Sequence, residues 1–299
     1  MGKVKRVMAS EVAAALNLRL IGADVKIERL AAITELRDAS MSFANTFRAD
    51  YLKIIKGVPN SLVICSPEYA EKIHTTHLLS GNPRLAFLRA AKHFFYVHPH
   101  PQIHPSSIVD PTAKLGRDIS IGPGTVIESG VTIGDRTELR SNVIIKSGVT
   151  IGADCLIKSN AVLGEEGFGY EIDEHGVPEH FPHFGTVCLD DGVHIGSGTA
   201  VDRATLGTTK ICKNAKIDNL VHIAHNAVIG QNTLVIAGSV VCGGAVLGRN
   251  CWLAPNSVIK EGVRVGDFSM VGLGAVVVKN VPEQVLVVGV PAKILRSLA

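Results

Sequence analysis

IGPGTVIESGVTIGDRTELRSNVIIKSGVTIGADCLIKSN, residues 121–160, places an aliphatic residue at every sixth position: Ile121, Ile127, Ile133, Leu139, Ile145, Ile151 and Ile157. Glycine often follows the aliphatic residue, as in IGPGTV and IGDRTE. A helix turns every 3.6 residues, so a stripe with a period of six drifts off any one helical face. A short strand closed by a tight turn keeps it. Three such strands make one triangular coil of about 18 residues, and stacked coils bury the stripe in one continuous core. The spacing therefore predicts a mainly β chain built as a parallel β-helix.

The same series begins at Ile103 and runs to Leu163, resumes through Leu189, Ile195 and Val201, and after a second break continues from Ile211 to Val271. The first break, GEEGFGYEIDEHGVPEHFPHFG (164–185), replaces the hexad with glycine, proline, histidine and acids; the second, around 207–210, is short. Insertions in a solenoid emerge as loops on one face, often the binding face.

Residues 1–98 lack the hexad and read as a small α/β domain. Ser10 to Leu16 suggests a capped short helix, VPNSLVICSP a buried strand, and Asn82-Pro83 the start of an apolar-faced helix. The segment HPHPQIHP (98–105) joins this domain to a β-helix over 99–276, with a short tail over 277–299.

Composition agrees with a turn-rich β protein: 30 glycines among 299 residues, 19% charged and 5% aromatic. A net charge of +3 does not call for a nucleic-acid partner, and none is expected. No apolar run is long enough to cross a bilayer, and the start lacks a signal core, so a cytoplasmic protein is expected. The six cysteines stand apart without a C-x-x-C pair, so free thiols are expected rather than disulfides or zinc.

A β-helix core is apolar, so chemistry belongs on its flanks. IDNLVHIAHNAVIG (217–230) carries His222 and His225, and a neutral imidazole accepts a proton near pH 7. Gly243 lies eighteen positions beyond His225 and should sit one coil above it, where a glycine lets a carbonyl approach and offers an oxyanion donor. Asp218, seven positions before His225, is expected near the same corner as a carboxylate that orients the imidazole. The histidines of HPHPQIHP and EHGVPEHFPH have no clear metal spacing and read as solvated loop residues, with no metal site expected.

GEEGFGY (164–170), VHIGSGTAVDRATLGTT (193–209) and the IAHN-bearing stretch, together with SFAN, SLVIC and SGNPRLAF nearer the amino terminus, resemble motifs of the UDP-3-O-acylglucosamine N-acyltransferase family. The resemblance covers most of the chain. It implies a left-handed β-helix, a homotrimer, and acyl transfer from a thioester, carried by acyl carrier protein or coenzyme A, to the amine of a UDP-linked amino sugar in lipid A assembly. No bound cofactor is implied. By the same resemblance His225 corresponds to the general base, Asp218 to its partner carboxylate and Gly243 to the oxyanion donor. Phe43 and Asn45 fall in the uracil-contacting segment, with Phe47 or Tyr51 as the further aromatic. Phe168 and Tyr170 of the first motif, and Asn219, His222 and Asn226 of the last, are the remaining substrate-binding candidates.

The sequence departs from the family at two places. Glu261 and Gly262 stand where a second histidine is common, and the chain ends in VPAKILRSLA rather than a helical extension. That ending resembles small acetyl-CoA-dependent sugar acetyltransferases. With Trp252 expected beside Gly243 as a block to a long groove, it raises the expectation that a short acyl group from coenzyme A is accepted at least as readily as a long chain from the carrier protein. Readings from other classes are a non-catalytic β-helix scaffold and a γ-type carbonic anhydrase; the latter needs three metal histidines across a subunit interface, a set that His222 and His225 alone do not supply.

Overall fold

The computed structural model describes residues 6–46, 48–97 and 100–299. The chain divides into two compact units, Met1–His98 and Pro99–Ala299.

The second unit is a three-sided parallel β-helix. Its first face is the sheet containing Ser120–Ile121, Lys216–Ile217 and Trp252–Leu253; the second contains Ile144–Ile145, His222–Ile223 and Val258–Ile259; the third contains Thr132–Ile133, Val228–Ile229 and Arg264–Val265. Each strand pairs in parallel with the equivalent strand one coil on, as in Lys114 with Thr132 and Val228 with Val246. The second residue of each strand points inward. Ile121, Ile133, Ile145, Leu163, Ile195, Ile223, Leu247 and Ile259 are all at most 1% exposed and belong to one core. Removing one such side chain to alanine costs about 2–5 kcal/mol.

The corners explain the polar half of the hexad. Asn142, Asn160, Asn214, Asn226, Asn232, Asn250 and Asn256 all have φ between 55° and 62°, and glycines fill equivalent turns. Only glycine and short amide or acid side chains enter this left-handed region at little cost. Buried hydroxyls satisfy themselves between coils: Thr125, Thr199 and Thr233 donate to the carbonyls of Arg140, Asp218 and Gly248.

The two sequence breaks become two different structures. Residues 170–180 form an exposed antiparallel hairpin, Tyr170–Ile172 with Pro178–His180. The second break lengthens one coil, so Ala200 pairs with His222 rather than with the residue eighteen positions on. The carboxy-terminal residues do not form a separate tail. Val285–Val288 adds a parallel strand to the first face, and Lys293–Ser297 closes it with an antiparallel strand. That strand pairs the last edge of the first face.

The first unit holds a five-stranded sheet in the order Leu20–Ile21, His77–Leu79, Leu62–Cys65, Ser40–Ala44 and Arg29–Leu30, with three helices. Helix α1 is Ala9–Leu16, α2 Ala49–Lys56 and α3 Pro83–Phe94. Asn82 caps α3 by accepting from the Leu85 amide at 3.1 Å. Ser10, expected as the cap of α1, lies inside its first turn and donates to Asp24. The Glu11 carboxylate instead accepts from the Met8 amide.

Candidate functional site

The corner between the second and third faces gathers the polar chemistry of the β-helix. His225 and Asn226 form its turn in one coil and Gly243 and Gly244 in the next, tied by the Gly244 amide to the His225 carbonyl at 2.9 Å. Eighteen positions thus bring Gly243 onto His225. A Cβ on Gly243 would lie 2.7 Å from both Cε1 and Nε2 of the imidazole. Glycine is required there for space rather than for backbone conformation, because its φ is ordinary.

Hydrogen bonds fix the imidazole tautomer. Asn226 Nδ2 donates to the Leu206 carbonyl at 2.9 Å, and its Oδ1 accepts from the Thr205 amide at 3.1 Å and hydroxyl at 2.9 Å. The Asn226 oxygen therefore faces His225 Nδ1, 3.1 Å away, and Nδ1 carries the proton. Nε2 keeps its lone pair beside Gly243. Asn226, expected to touch substrate, instead turns inward and orients His225. Its φ of +60° suits an asparagine turn, and the four extra residues of the lengthened coil deliver Thr205 and Leu206 to it.

The carboxylate beside the histidines is Asp202, not Asp218. Asp202 Oδ2 lies 3.6 Å from His222 Nε2, and the Asp202 side chain is 10% exposed. Burial raises its carboxyl above the usual carboxylate range, a rise opposed by His222, His225 and His183 around it. Asp218 follows the first-face strand Lys216–Ile217, one corner earlier than His225, and its carbonyl accepts from the Thr199 hydroxyl. Asn219 shares that earlier corner and accepts from the Ser197 amide at 2.8 Å, so neither residue joins the histidine within one chain. His222 projects from the second face with 45% of its side chain exposed.

The insertion returns a third histidine that the loop reading placed in solvent. His175 and His180 are exposed, but His183 is 3% exposed. Its ring packs edge-on against His225 with centroids 5.2 Å apart, and Nδ1 donates to the Phe181 carbonyl at 3.1 Å. Gly167 and Gly169 line this ring; a Cβ on Gly169 would lie 2.6 Å from His183 Cε1. The GFG segment is thus a cradle for His183. Phe168 packs against Tyr170 at the base of the exposed hairpin, their rings tilted with centroids 4.9 Å apart, and Tyr170 meets His180 at 5.5 Å. Lower on the same corner, a cavity of about 440 Å³ is lined by Ser147, Gly148, Phe184, Gly185, Thr186, Arg203 and Gly207. Arg203 donates to the carbonyls of Gly164 and Ser147.

In the first unit, Phe43 packs on Phe87 of α3 with centroids 5.0 Å apart. Both border a concavity of about 600 Å³ with Asn82, Arg84, Leu85, Leu88 and Ala91. Asn45 follows at the end of that strand, exposed. Tyr51 belongs to a separate apolar cluster, with Arg48 over its ring at 5.6 Å, and Phe47 lies outside the described residues. Trp252 lies on the first face between Leu234 and Met270, away from the Gly243 corner. Among the described residues no three His, Cys, Asp or Glu side chains are placed to hold a metal ion, and no helix is long and apolar enough to cross a membrane.

Comparison with known proteins supports the same architecture. The family model of the bacterial transferase hexapeptide, six repeats, matches residues 130–165. LpxA from Moraxella catarrhalis, a UDP-N-acetylglucosamine O-acyltransferase, superposes with a TM-score of 0.61 at 29% identity, covering 66% of this chain and 74% of that one. The β-helix is accordingly the left-handed form. A UDP-3-O-acylglucosamine N-acyltransferase of Campylobacter lari is 38% identical over 40% of this chain, and the match spans about two-fifths of the length of that and similar curated relatives. The enzyme of that name from Methylacidiphilum infernorum is 40% identical over 247 residues, 75% of this chain and 69% of its own length. At 40% identity over more than two thirds of that relative, and with the hexapeptide core, the protein belongs to the UDP-3-O-acylglucosamine N-acyltransferase family.

Proposed function

We propose that the protein transfers an acyl group from a thioester to the amine of a UDP-linked amino sugar, as in lipid A assembly. The observation that carries this reading is the His225 imidazole, held with Nδ1 protonated and Nε2 free beside Gly243. The amine attacks the thioester carbonyl, forming the C–N bond. His225 Nε2 takes the proton that the nitrogen sheds, and the Gly243 N–H faces the developing oxyanion. Collapse breaks the C–S bond, and the proton passes from His225 to the departing sulfur. Amide and thiol are the products.

Asp202, rather than Asp218, supplies the negative charge that steadies the imidazolium. Arg203 at the lower cavity suits an anionic diphosphate, because its donors go to carbonyls and leave its charge uncancelled by a hydrogen-bonded carboxylate. Taken by itself, the first unit offers the Phe43–Phe87 concavity, an aromatic wall that suits a planar ring. Above His222 the outward residues of the second face are Val240, Val258 and Val276, an aliphatic strip along which a long acyl chain could lie. With Trp252 on another face, the strip favours a long-chain donor on acyl carrier protein over a short group from coenzyme A. A homotrimer fits a site this shallow, set on one corner of a prism and in need of a neighbouring wall.

The test incubates the protein with UDP-amino sugars and a choice of hydroxyacyl carrier protein or acetyl-CoA, reading products by mass spectrometry. Amide formation chiefly from the carrier protein is expected; transfer from neither donor refutes the reading. Sedimentation should give about three times the 31.7 kDa chain mass.

A further inference from the structure

His183 Nε2 is buried and, among the described residues, has no hydrogen-bond partner. Its Nδ1 donates to a carbonyl, which can only accept, so in the neutral ring Nε2 is a bare lone pair. Buried acceptors of this kind are scarce because each forfeits its bond to water, and one retained at a reactive centre calls for a reason. The surroundings give one. His183 Nε2, Asp202 Oδ2 and His225 Cδ2 all lie within 3.0–3.4 Å of the single point that a Cβ on Gly167 would occupy. Two groups from two other stretches of chain thus share one small space with the edge of the His225 ring that faces away from Gly243. Both present negative charge or a lone pair.

We propose that His183 is a positioning residue of this site: its unpartnered Nε2, set in the same small space as the edge of the His225 ring, stabilises the imidazolium that forms when His225 takes the proton of the amine. This rests on His225 being the base. In the resting enzyme the lone pair is unsatisfied. Once His225 is charged, the lone pair and the Asp202 carboxylate both face a cation, so the interaction is made in the transition state and not before. The fold sets it up in advance, because the two glycines of GFG leave no room for the imidazole to turn away. The other ionisable neighbours are His222 and Asp202 on the second face, Glu165 at the foot of the insertion, and Cys242 and Glu261 on the coils above. None of these shares the edge-on contact of His183 with His225.

The test compares His183→Leu, His183→Gln and Gly167→Ala with the native protein, reading kcat/KM against pH and thermal stability. His183→Leu removes the lone pair and should lower kcat/KM about ten- to a hundredfold. The acid limb of its profile should move to lower pH, while its Tm stays near the native value, because removal of the buried unsatisfied acceptor offsets loss of the bond to the Phe181 carbonyl. His183→Gln, which can return an oxygen to the same place, should restore most of the rate and the native limb. Gly167→Ala wedges a methyl group 3.0–3.1 Å from Asp202 Oδ2 and His183 Nε2 at an ordinary φ, and should reproduce the loss while keeping the His183 side chain itself. It carries the test should His183→Leu fold poorly. A native rate and profile in His183→Leu or Gly167→Ala overturns the proposal. So does equal loss in the Leu and Gln variants with a lowered Tm and an unmoved acid limb, which marks a packing role. Activity in His225→Gln would instead overturn the underlying assignment of the base.

Discussion

Replacing Gly243 with alanine asks whether His225 Nε2 does the chemistry. The new methyl would stand 2.7 Å from Nε2 and Cε1 and 3.3 Å from Nδ1. Ordinary contact for such atoms is about 3.5 Å or more, so the ring must retreat by roughly 0.8 Å. The backbone cannot absorb this. The Gly244 amide bonds the His225 carbonyl at 2.9 Å, and the Gly262 amide bonds the Gly243 carbonyl at 2.9 Å. The imidazole must therefore swing out, straining its 3.1 Å bond to Asn226 and leaving its rotamer, at a cost of about 0.5–1.5 kcal/mol in stability. A misplacement near 1 Å at a reacting group costs about a hundredfold in rate. Gly244→Ala is the control. It meets open space but has φ of +63°, so it should lose about 1–2 kcal/mol of stability while keeping its turnover. Steady-state thiol release and thermal melts of both variants give the comparison. Near-native kcat/KM in Gly243→Ala would refute the reasoning, because it would mean that the face of His225 towards Gly243 is not used.

Other perturbations separate the parts of the site. Asn226→Gly keeps the left-handed turn but frees Nδ1 and the Thr205–Leu206 segment; kcat/KM should fall about ten- to a hundredfold, and the lost side-chain bonds should lower Tm as well. Asp202→Asn should slow turnover yet stabilise the fold. The Asp202 carboxyl is raised in the folded protein, so its contribution to stability is fully present in acid and is lost as pH rises through that raised value; the Tm gain of the variant should therefore appear above this range and vanish in acid. Ile223→Ala, in the core behind the histidines, should cost about 2–5 kcal/mol by chemical denaturation.

The β-helix was legible because its core is one-dimensional: a single period of six decides which side chains face inward, and no long-range pairing has to be guessed. The same period led to Gly243 above His225. It failed at Asp218 for a physical reason. Six residues carry the chain from one face to the next, so seven residues before His225 is a corner away. Asp202, twenty-three positions before it, sits beside the histidines because four extra residues lengthen that coil. Asn226 was legible as a motif residue, but its role depends on Thr205 and Leu206, which only the lengthened coil brings near. His183 lay in a stretch with no period, where proline, histidine and charge read as a solvated loop. Its burial depends on two glycines that accept an imidazole against their backbone, a contact that spacing does not express.

The most direct measurement compares His225→Ala with His222→Ala in acyl transfer to a UDP-amino sugar, each variant checked for its native melting temperature. Loss of the base should lower kcat/KM about 10²–10⁴-fold in His225→Ala, while the exposed His222, 3.6 Å from Asp202, should matter far less. Equal losses at the two positions, or turnover preserved without His225, would contradict the account.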